Sequence, residues 1–305
     1  MLIADIGHIA FRVPDVDVSV KYVTEVLGML EVERIGDTAY VTQGSPYPSV
    51  WPQCNHHIME FTGGSEGPEF DHIGLIAQDQ AALDEIRARA IAIGAKIDES
   101  VTSEPGIPEL LRIVAPTGHV IDTYVEMEQV ERDYQPKGVM THRLAHAFMW
   151  TQDVKGLVEF LIDVFGFKAS DWIGTPEDPY IGFLRCHLEH HTIAVGRGPI
   201  EGVHHYAMEV PGTADLGRLG DQLARSGLGY MWGLGRHGGG DNIASYHVAP
   251  DGLLVEVYAD MQKIAGDGWK PRHWSVEDPR GGNLWGEMPG DFQKLMAPHA
   301  PIAQR

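Results

Sequence analysis

Four stretches of the chain share one order of apolar and polar positions. A histidine heads an extended apolar run, a segment with apolar residues at helical spacing follows, and a glycine closes it. They are GHIAFRVPDVDVSVKYVTEVLG from Gly7, DHIGLIAQDQAALDEIRARAIAIG from Asp71, AHAFMWTQDVKGLVEFLIDVFG from Ala145 and HHYAMEVPGTADLGRLGDQLARSG from His204. The separation from His to Gly alternates: 20 residues for His8 to Gly28, 22 for His72 to Gly94, 20 for His146 to Gly166 and 22 for His205 to Gly227. Such alternation points to a duplicated pair of units.

Each unit has the same physical logic. In the first, His8–Phe11 reads as a strand, and Asp15 or Asp17 can cap a helix. Its apolar stripe is Val16, Val20, Val23 and Leu27, and Gly28 ends it. The second unit uses Leu83, Ile86, Ala90 and Ile93 in the same way, and the third uses Val154, Leu157, Leu161 and Val164. Short strands follow, Ala39–Gln43 and His57–Phe61 in the first unit, Ile181–Cys186 and Thr192–Val195 in the third. The unit is therefore βαβββ, used four times, in an α+β chain.

Longer offsets mark the halves. His57 matches His191 at 134, His72 matches His205 at 133, and Ala115–Gly118 matches Ala249–Gly252 at 134. The halves are expected at 1–135 and 140–262, joined by the linker Gln135–Gly138. Residues 263–305 carry Pro, Gly and Trp without periodicity and are expected to wrap the body.

Composition narrows the function. A chain of 305 residues can bury two cores. Its net charge of −20 argues against nucleic acid or an anionic membrane surface as partner. The absence of a long apolar run and of a signal-peptide pattern predicts a cytoplasmic protein. Cys54 and Cys186 show no C-x-x-C spacing, so neither a disulfide framework nor a thiolate zinc site is indicated. Sixteen histidines are left to carry the chemistry.

The richest stretch is Gly235–Tyr258, GRHGGGDNIASYHVAPDGLLVEVY. His237 opens its Gly-rich part, Tyr246 begins an extended run, and Glu256 stands alone in an apolar strand after the turn at Pro250–Gly252. An unpaired buried carboxylate is costly, so Glu256 faces solvent or has a cationic partner. His146 heads the third unit. Aligning Asp71-His72 with His204-His205 makes His205 the head of the fourth. Two imidazoles and one carboxylate on strands that curl together would form a 2-His-1-carboxylate face, whose usual occupant is Fe(II).

Over nearly its whole length the chain resembles the type I extradiol ring-cleaving (catechol 2,3-) dioxygenases of the vicinal oxygen chelate superfamily. The resemblance is carried by Gly235-Arg236-His237, seven residues, Ser245, Tyr246, two residues, Ala249, Pro250-Asp251-Gly252 and then Glu256. Ser245 departs from the family's pattern, which has an aliphatic there. The resemblance implies two tandem barrel domains, with His146, His205 and Glu256 as metal ligands in the second. It implies His191 as acid/base and stabiliser of reduced oxygen, and His237 and Tyr246 as partners of the substrate oxygens. The cofactor would be Fe(II), with Mn(II) accepting the same ligands. The partners would be an aromatic diol and O2, the product a ring-opened muconic semialdehyde, the setting aromatic compound catabolism, and the assembly a homo-oligomer.

Phe148 and Trp150, alternating with His146, and Trp274, with Trp232 and Trp269, are candidate pocket walls. His142, His187, His190, His204 and His247 are expected to face away by strand alternation. The first half keeps His8, His57, His72 and, in place of Glu256, Asp122. It has Arg112 where Tyr246 stands and no match for His237, so it reads as a vestigial copy without a catalytic metal. Two other readings use the same scaffold: a metal-dependent isomerase, lyase or transferase, and a non-enzymatic aromatic-ligand-binding protein. The first does not need His191, His237 and Tyr246 together, and the second predicts a site without bound iron or without oxygen consumption.

Overall fold

The computed structural model describes all residues except 44–52, 132–136, 267, 288–289, 291, 298 and 305. Gln135 and Pro136 of the expected linker therefore lie outside the described residues. The first half runs β1 (Ile3–Val13), α1 (Val16–Glu25), β2 (Leu30–Ile35), β3 (Thr38–Thr42), β4 (Gln53–Asn55), β5 (Met59–Gly63), β6 (Glu69–Ala77), α2 (Gln80–Ala92), β7 (Lys96–Ile97), β8 (Leu111–Val114), β9 (Val120–Tyr124) and β10 (Gln129–Glu131). The second runs β11 (Arg143–Thr151), α3 (Val154–Phe165), β12 (Lys168–Gly174), β13 (Pro179–Arg185), β14 (Ile193–Arg197), β15 (Gly202–Glu209), α4 (Thr213–Arg225), β16 (Trp232–Arg236), β17 (Ile243–Val248) and β18 (Leu254–Ala259). The chain closes with β19 (Arg272–Trp274), a 3-10 turn at Pro279–Gly281, α5 (Phe292–Leu295) and β20 (Ala300–Pro301).

Local chemistry accounts for the helices. Asp15 rather than Asp17 caps α1, accepting from the backbone N–H of Asp17 at 2.9 Å and of Val18 at 3.3 Å. Asp79 and Asp153 cap α2 and α3 in the same manner. Gly28, Gly94, Gly166 and Gly227 all take positive φ, which lets the chain leave each helix without Cβ strain. In α3 the stripe Val154, Leu157, Leu161 and Val164 is fully buried. Each such side chain contributes about 1.5–3 kcal/mol, which outweighs propensity deficits of about 1 kcal/mol or less per residue for Val, Ile, Phe and Gly156. One stripe member departs from expectation. Ile93 is 53% exposed because α2 ends before it, and its backbone has left the helical register.

Apart from the two-stranded pair β4–β10, the strands form two large sheets organised by the head strands of the units. One has the order β2-β3-β5-β1-β6-β9-β8-β7, the other β16-β17-β18-β15-β11-β14-β13-β12-β19 with β20 on the edge of β15. In each half the two head strands pair antiparallel, with Ala10 opposite His72 in the first and Phe148 opposite His205 in the second. The last strand then runs parallel to the second head strand, placing Asp122 beside Gly74 and Glu256 beside Ala207. Its hairpin partner sets Arg112 opposite Asp122 and Tyr246 opposite Glu256. The duplication thus extends to register.

The halves share one apolar core, within which Phe11 packs on Tyr206 at 5.7 Å between ring centroids. Polar contacts cross the junction as well: Ser19 Oγ donates to Asp251 Oδ2 at 2.7 Å, and Tyr22 Oη meets His247 Nε2. After β18 the chain returns over the second half, where β19 adds to the sheet parallel to β12 and β20 pairs with β15. Among the described residues no helix is long and apolar enough to cross a membrane.

Candidate metal centre

Glu256 sits on β18 inside the second sheet, 1% exposed, and two other strands of that sheet each bring an imidazole to it. His146 Nε2 from β11 lies 3.1 Å from its Oε2, and His205 Nε2 from β15 lies 3.0 Å from the same oxygen. One ligand atom of each residue falls within 4.8 Å of the others. His205 Nε2 is buried with no hydrogen-bond partner. An orphaned imidazole nitrogen beside a buried carboxylate fits a divalent metal, and the donor set of two imidazoles and one carboxylate suits Fe(II) or Mn(II).

Electrostatics support an ionised Glu256 carboxylate and a neutral His205 imidazole. Burial alone would raise the Glu256 carboxyl, but His146 and His205 outweigh it and hold it well below the usual carboxylate range. Burial lowers His205 to about 4 against the pull of Glu256. The carboxylate is further gripped by Asn242, whose Nδ2 donates to Oε1 at 3.0 Å, and by Tyr246, whose hydroxyl donates to Oε2 at 2.7 Å.

The doubled histidines orient the rings that face the cavity. His204 donates from Nε2 to the carbonyl of Leu295 at 2.7 Å, so its Nδ1 is left to accept from His205 Nδ1 at 2.7 Å. That chain turns the lone pair of His205 Nε2 inward, as a metal ligand requires. His190 repeats the device: its Nε2 lies 3.2 Å from Asp171 Oδ2, its Nδ1 lies 3.1 Å from His191 Nδ1, and the lone pair of His191 Nε2 is freed. The His191 ring lies 4.5 Å from that of His146, and burial holds it well below the usual histidine range, with His146 and His190 adding to the effect.

On the opposite side His237 Nδ1 donates to the carbonyl of Gly282, and its Nε2 lies 3.0 Å from Tyr246 Oη. The single hydroxyl proton of Tyr246 therefore faces two acceptors, His237 and Glu256. A cavity of about 350 Å³ opens above these groups. His146, His191, His205, His237, Tyr246 and Glu256 all line it, and Phe148, Phe183 and Trp232 contribute aromatic wall.

Three wall residues expected from the sequence, Trp150, Trp269 and Trp274, do not line the cavity. Trp150 lies behind its wall, 5.1 Å from Phe148 and 4.8 Å from His204 between ring centroids, over Gly198, where a Cβ would sit 2.5 Å from its ring. Trp274 and Trp269 instead sandwich the Arg272 guanidinium at 5.5 and 5.4 Å, and Arg272 and Trp274 both donate to Asp171. They support the His190–His191 pair from behind. His204 also departs from expectation, because it lines the cavity beside His205. Strand alternation fails there because His204 is a bulge residue: Phe148 opposes His205, Met149 opposes Val203, and nothing opposes His204. His187 and His247 do turn from the cavity, toward Asp5 and Tyr22 of the first half. Asn242, Asp171 and the supporting roles of His190 and His204 escape sequence reasoning. The doubled His-His pairs were the one available signal.

Two tandem βαβββ pairs with a buried His-His-Glu cluster at the floor of an aromatic cavity define a metal-site protein of the paired βαβββ type. The chain belongs to the Glyoxalase/Bleomycin resistance protein/Dioxygenase superfamily, which it matches over residues 5–108 and 143–257. It is 26% identical over 303 residues to the manganese-dependent 2,3-dihydroxybiphenyl 1,2-dioxygenase of Geobacillus genomosp. 3, covering 93% of each chain. Among solved structures, the Mn(II)-bound glyoxalase from Novosphingobium aromaticivorans superposes with a TM-score of 0.85 at 26% identity, covering 98% of this chain and 96% of that one. Homoprotocatechuate 2,3-dioxygenase from Arthrobacter globiformis shares the fold, with a TM-score of 0.87 at 21% identity over 99% and 93% of the two chains.

Proposed function

We propose that this protein is an extradiol dioxygenase. It opens an aromatic vicinal diol beside the diol carbons, placing both atoms of O2 in a muconic semialdehyde-type product. The observation that carries this reading is the convergence of His191, His237 and Tyr246 around the His146–His205–Glu256 cluster, inside a cavity with aromatic walls. A metal held by those three ligands would supply Lewis-acid activation of the diol and an electron path to dioxygen.

The chain's own residues do the rest. Phe148, Phe183 and Trp232 hold the aromatic ring and exclude water. Tyr246 Oη and His237 Nε2, 3.0 Å apart, form a donor–acceptor pair for one diol oxygen, and the Tyr246 proton moves between substrate and His237 as that oxygen gains or loses charge. His191 Nε2, on the other side, offers a lone pair as general base and, once protonated, a donor toward oxygen that accumulates negative charge. Asn242 and Tyr246 keep the Glu256 carboxylate in place throughout.

In this reading the first half, about 1–135, is not catalytic, the second, about 140–262, holds the reaction, and 263–305 closes the cavity with Leu295, Met296 and the Pro279–Asn283 segment. A homo-oligomeric, cytoplasmic enzyme belongs to the same reading. The test is oxygen uptake by protein loaded anaerobically with Fe(II) or Mn(II), on catechol and 2,3-dihydroxybiphenyl, followed together with the yellow absorbance of a ring-opened product. Uptake with yellow product supports ring cleavage. Metal bound at full stoichiometry with no uptake on either diol sinks it in favour of an isomerase, lyase, transferase or ligand-binding role.

A further inference from the structure

The first half contains a second convergence of ligating atoms, at the position equivalent to the centre just described. His8 on β1, His72 on β6 and Asp122 on β9 occupy the register positions of His146, His205 and Glu256. Glu104, from the loop before β8, joins them, and one ligand atom of each of these four residues lies within 4.8 Å of the others. His8 Nε2 and His72 Nε2 are 3.1 Å apart. Glu104 Oε2 is 3.4 Å from His72 Nε2 and 3.8 Å from His8 Nε2, and Asp122 Oδ2 is 3.6 Å from His72 Nε2. Glu60 Oε1 approaches from β5, 3.6 Å from His8 Nε2 and 2.9 Å from His57 Nε2.

Three further observations point to a cation at that centre. First, Glu104 Oε2 is buried without a hydrogen-bond partner, and Glu60 Oε1 and His57 Nε2, in residues only 6% and 0% exposed, have no hydrogen bond beyond their 2.9 Å contact with each other. Second, the other ends of these groups are already engaged, which aims the free atoms inward. His72 Nδ1 is held by Asp71 Oδ1 at 2.8 Å, His8 Nδ1 by Tyr124 Oη at 3.1 Å, and Glu104 Oε1 by Arg112 at 2.6 Å. Asp71 is the bulge residue of β6, as His204 is of β15, so the same irregularity supplies the outer partner in both halves. Third, the carboxylates of Glu60, Glu104 and Asp122 face one permanent cation, Arg112, which leaves two negative charges for a divalent ion to balance.

We propose that the first half binds a divalent first-row metal through His8 Nε2, His72 Nε2, Glu104 Oε2 and Asp122 Oδ2, with Glu60 Oε1 as the next nearest oxygen. The site holds its ion without turning over a diol. Gly74 lies so close to His8 that a Cβ there would sit 2.2 Å from the ring, and Arg112 fills the place where Tyr246 stands in the other half. A shell whose positions are all filled by protein ligands is the design of a structural rather than a catalytic metal site.

The test is the stoichiometry of Mn(II) bound to the full, chelator-stripped chain, by equilibrium dialysis with elemental analysis. Wild type is expected to take up two Mn(II), Glu256→Ala one, and Glu104→Gln one, with Glu104→Gln retaining diol cleavage. The double variant is expected to take up none. In the Glu256→Ala background, Mn(II) should also raise the unfolding temperature, and His72→Asn should remove that rise. Wild type saturating at one Mn(II), with Glu104→Gln unchanged and Glu256→Ala at zero, would overturn the proposal and leave protonated imidazoles to balance the charge. Should Glu104→Gln fail to fold, the wild-type and Glu256→Ala counts decide the matter alone.

Discussion

The Tyr246 hydroxyl donates to Glu256 Oε2 at 2.7 Å while His237 Nε2 lies 3.0 Å from the same phenol oxygen, so one proton is shared between the carboxylate and the imidazole. Burial and the Glu256 charge raise the Tyr246 hydroxyl well above the usual phenol range, which keeps that proton on the residue until a substrate oxygen competes for it. Tyr246→Phe is expected to lower kcat by roughly 10²–10⁴-fold, the range of a lost proton-transfer partner, and to leave the metal bound. Steady-state rates and metal content on one preparation check this. Loss of metal with kcat per metal unchanged would make Tyr246 a structural brace of Glu256.

Asn242 is buried and donates to the other oxygen of Glu256. Removing such an outer partner costs about 10–100-fold in metal affinity. Asn242→Ala is therefore expected to weaken metal binding by that factor, as read by competition with a chelator of known affinity. A Kd equal to wild type would show that Tyr246 and the two histidines suffice to orient the carboxylate.

His191 and His205 should separate cleanly. His205→Ala is expected to lose the metal, whereas His191→Asn should retain it and slow turnover by about 10²–10⁴-fold. Burial holds the His191 imidazole well below its ordinary range, so the base form persists on acidification and the acid limb of kcat should fall below pH 6.5, the ordinary histidine value. If His191→Asn lost the metal and His205→Ala kept it, the assignment of ligand and acid/base would be reversed.

His247 gives a stability prediction. Buried at the junction against Tyr22, its imidazole is lowered to about 3 by burial. The folded state therefore refuses a proton that the unfolded chain accepts near pH 6.5, so this stability is present above pH 6.5 and declines as pH falls toward 3. Between pH 8 and pH 5 the single group should cost about 2 kcal/mol. Urea unfolding at the two pH values checks it: His247→Gln should reduce the pH-dependent loss by about that amount, and an undiminished loss would mean that the other buried histidines carry it.

Much of the architecture was legible because it is written in local spacing. The His-to-Gly intervals mark four helices that stop at left-handed glycines, since only a residue without Cβ leaves a helix so cheaply. His146, His205 and Glu256 were reachable because each stands at a fixed place on an apolar strand, where a charged or titratable group needs a reason.

Tertiary structure decided what those patterns cannot encode. That Trp232 lines the cavity while Trp150 lies behind Phe148 and His204, over Gly198, depends on how side chains from separate strands stack. Whether His204 faces the site or turns away depends on a bulge in pairing with β11, which adds one residue and cancels alternation. Glu60 and Glu104 meet His8 and His72 only because a strand end and a loop converge on the middle of one sheet. Periodicity is a property of neighbours along the chain, so sequence alone determined the repeated units. Convergence is a property of register between strands far apart in sequence, so only the folded sheets decided which side chains meet.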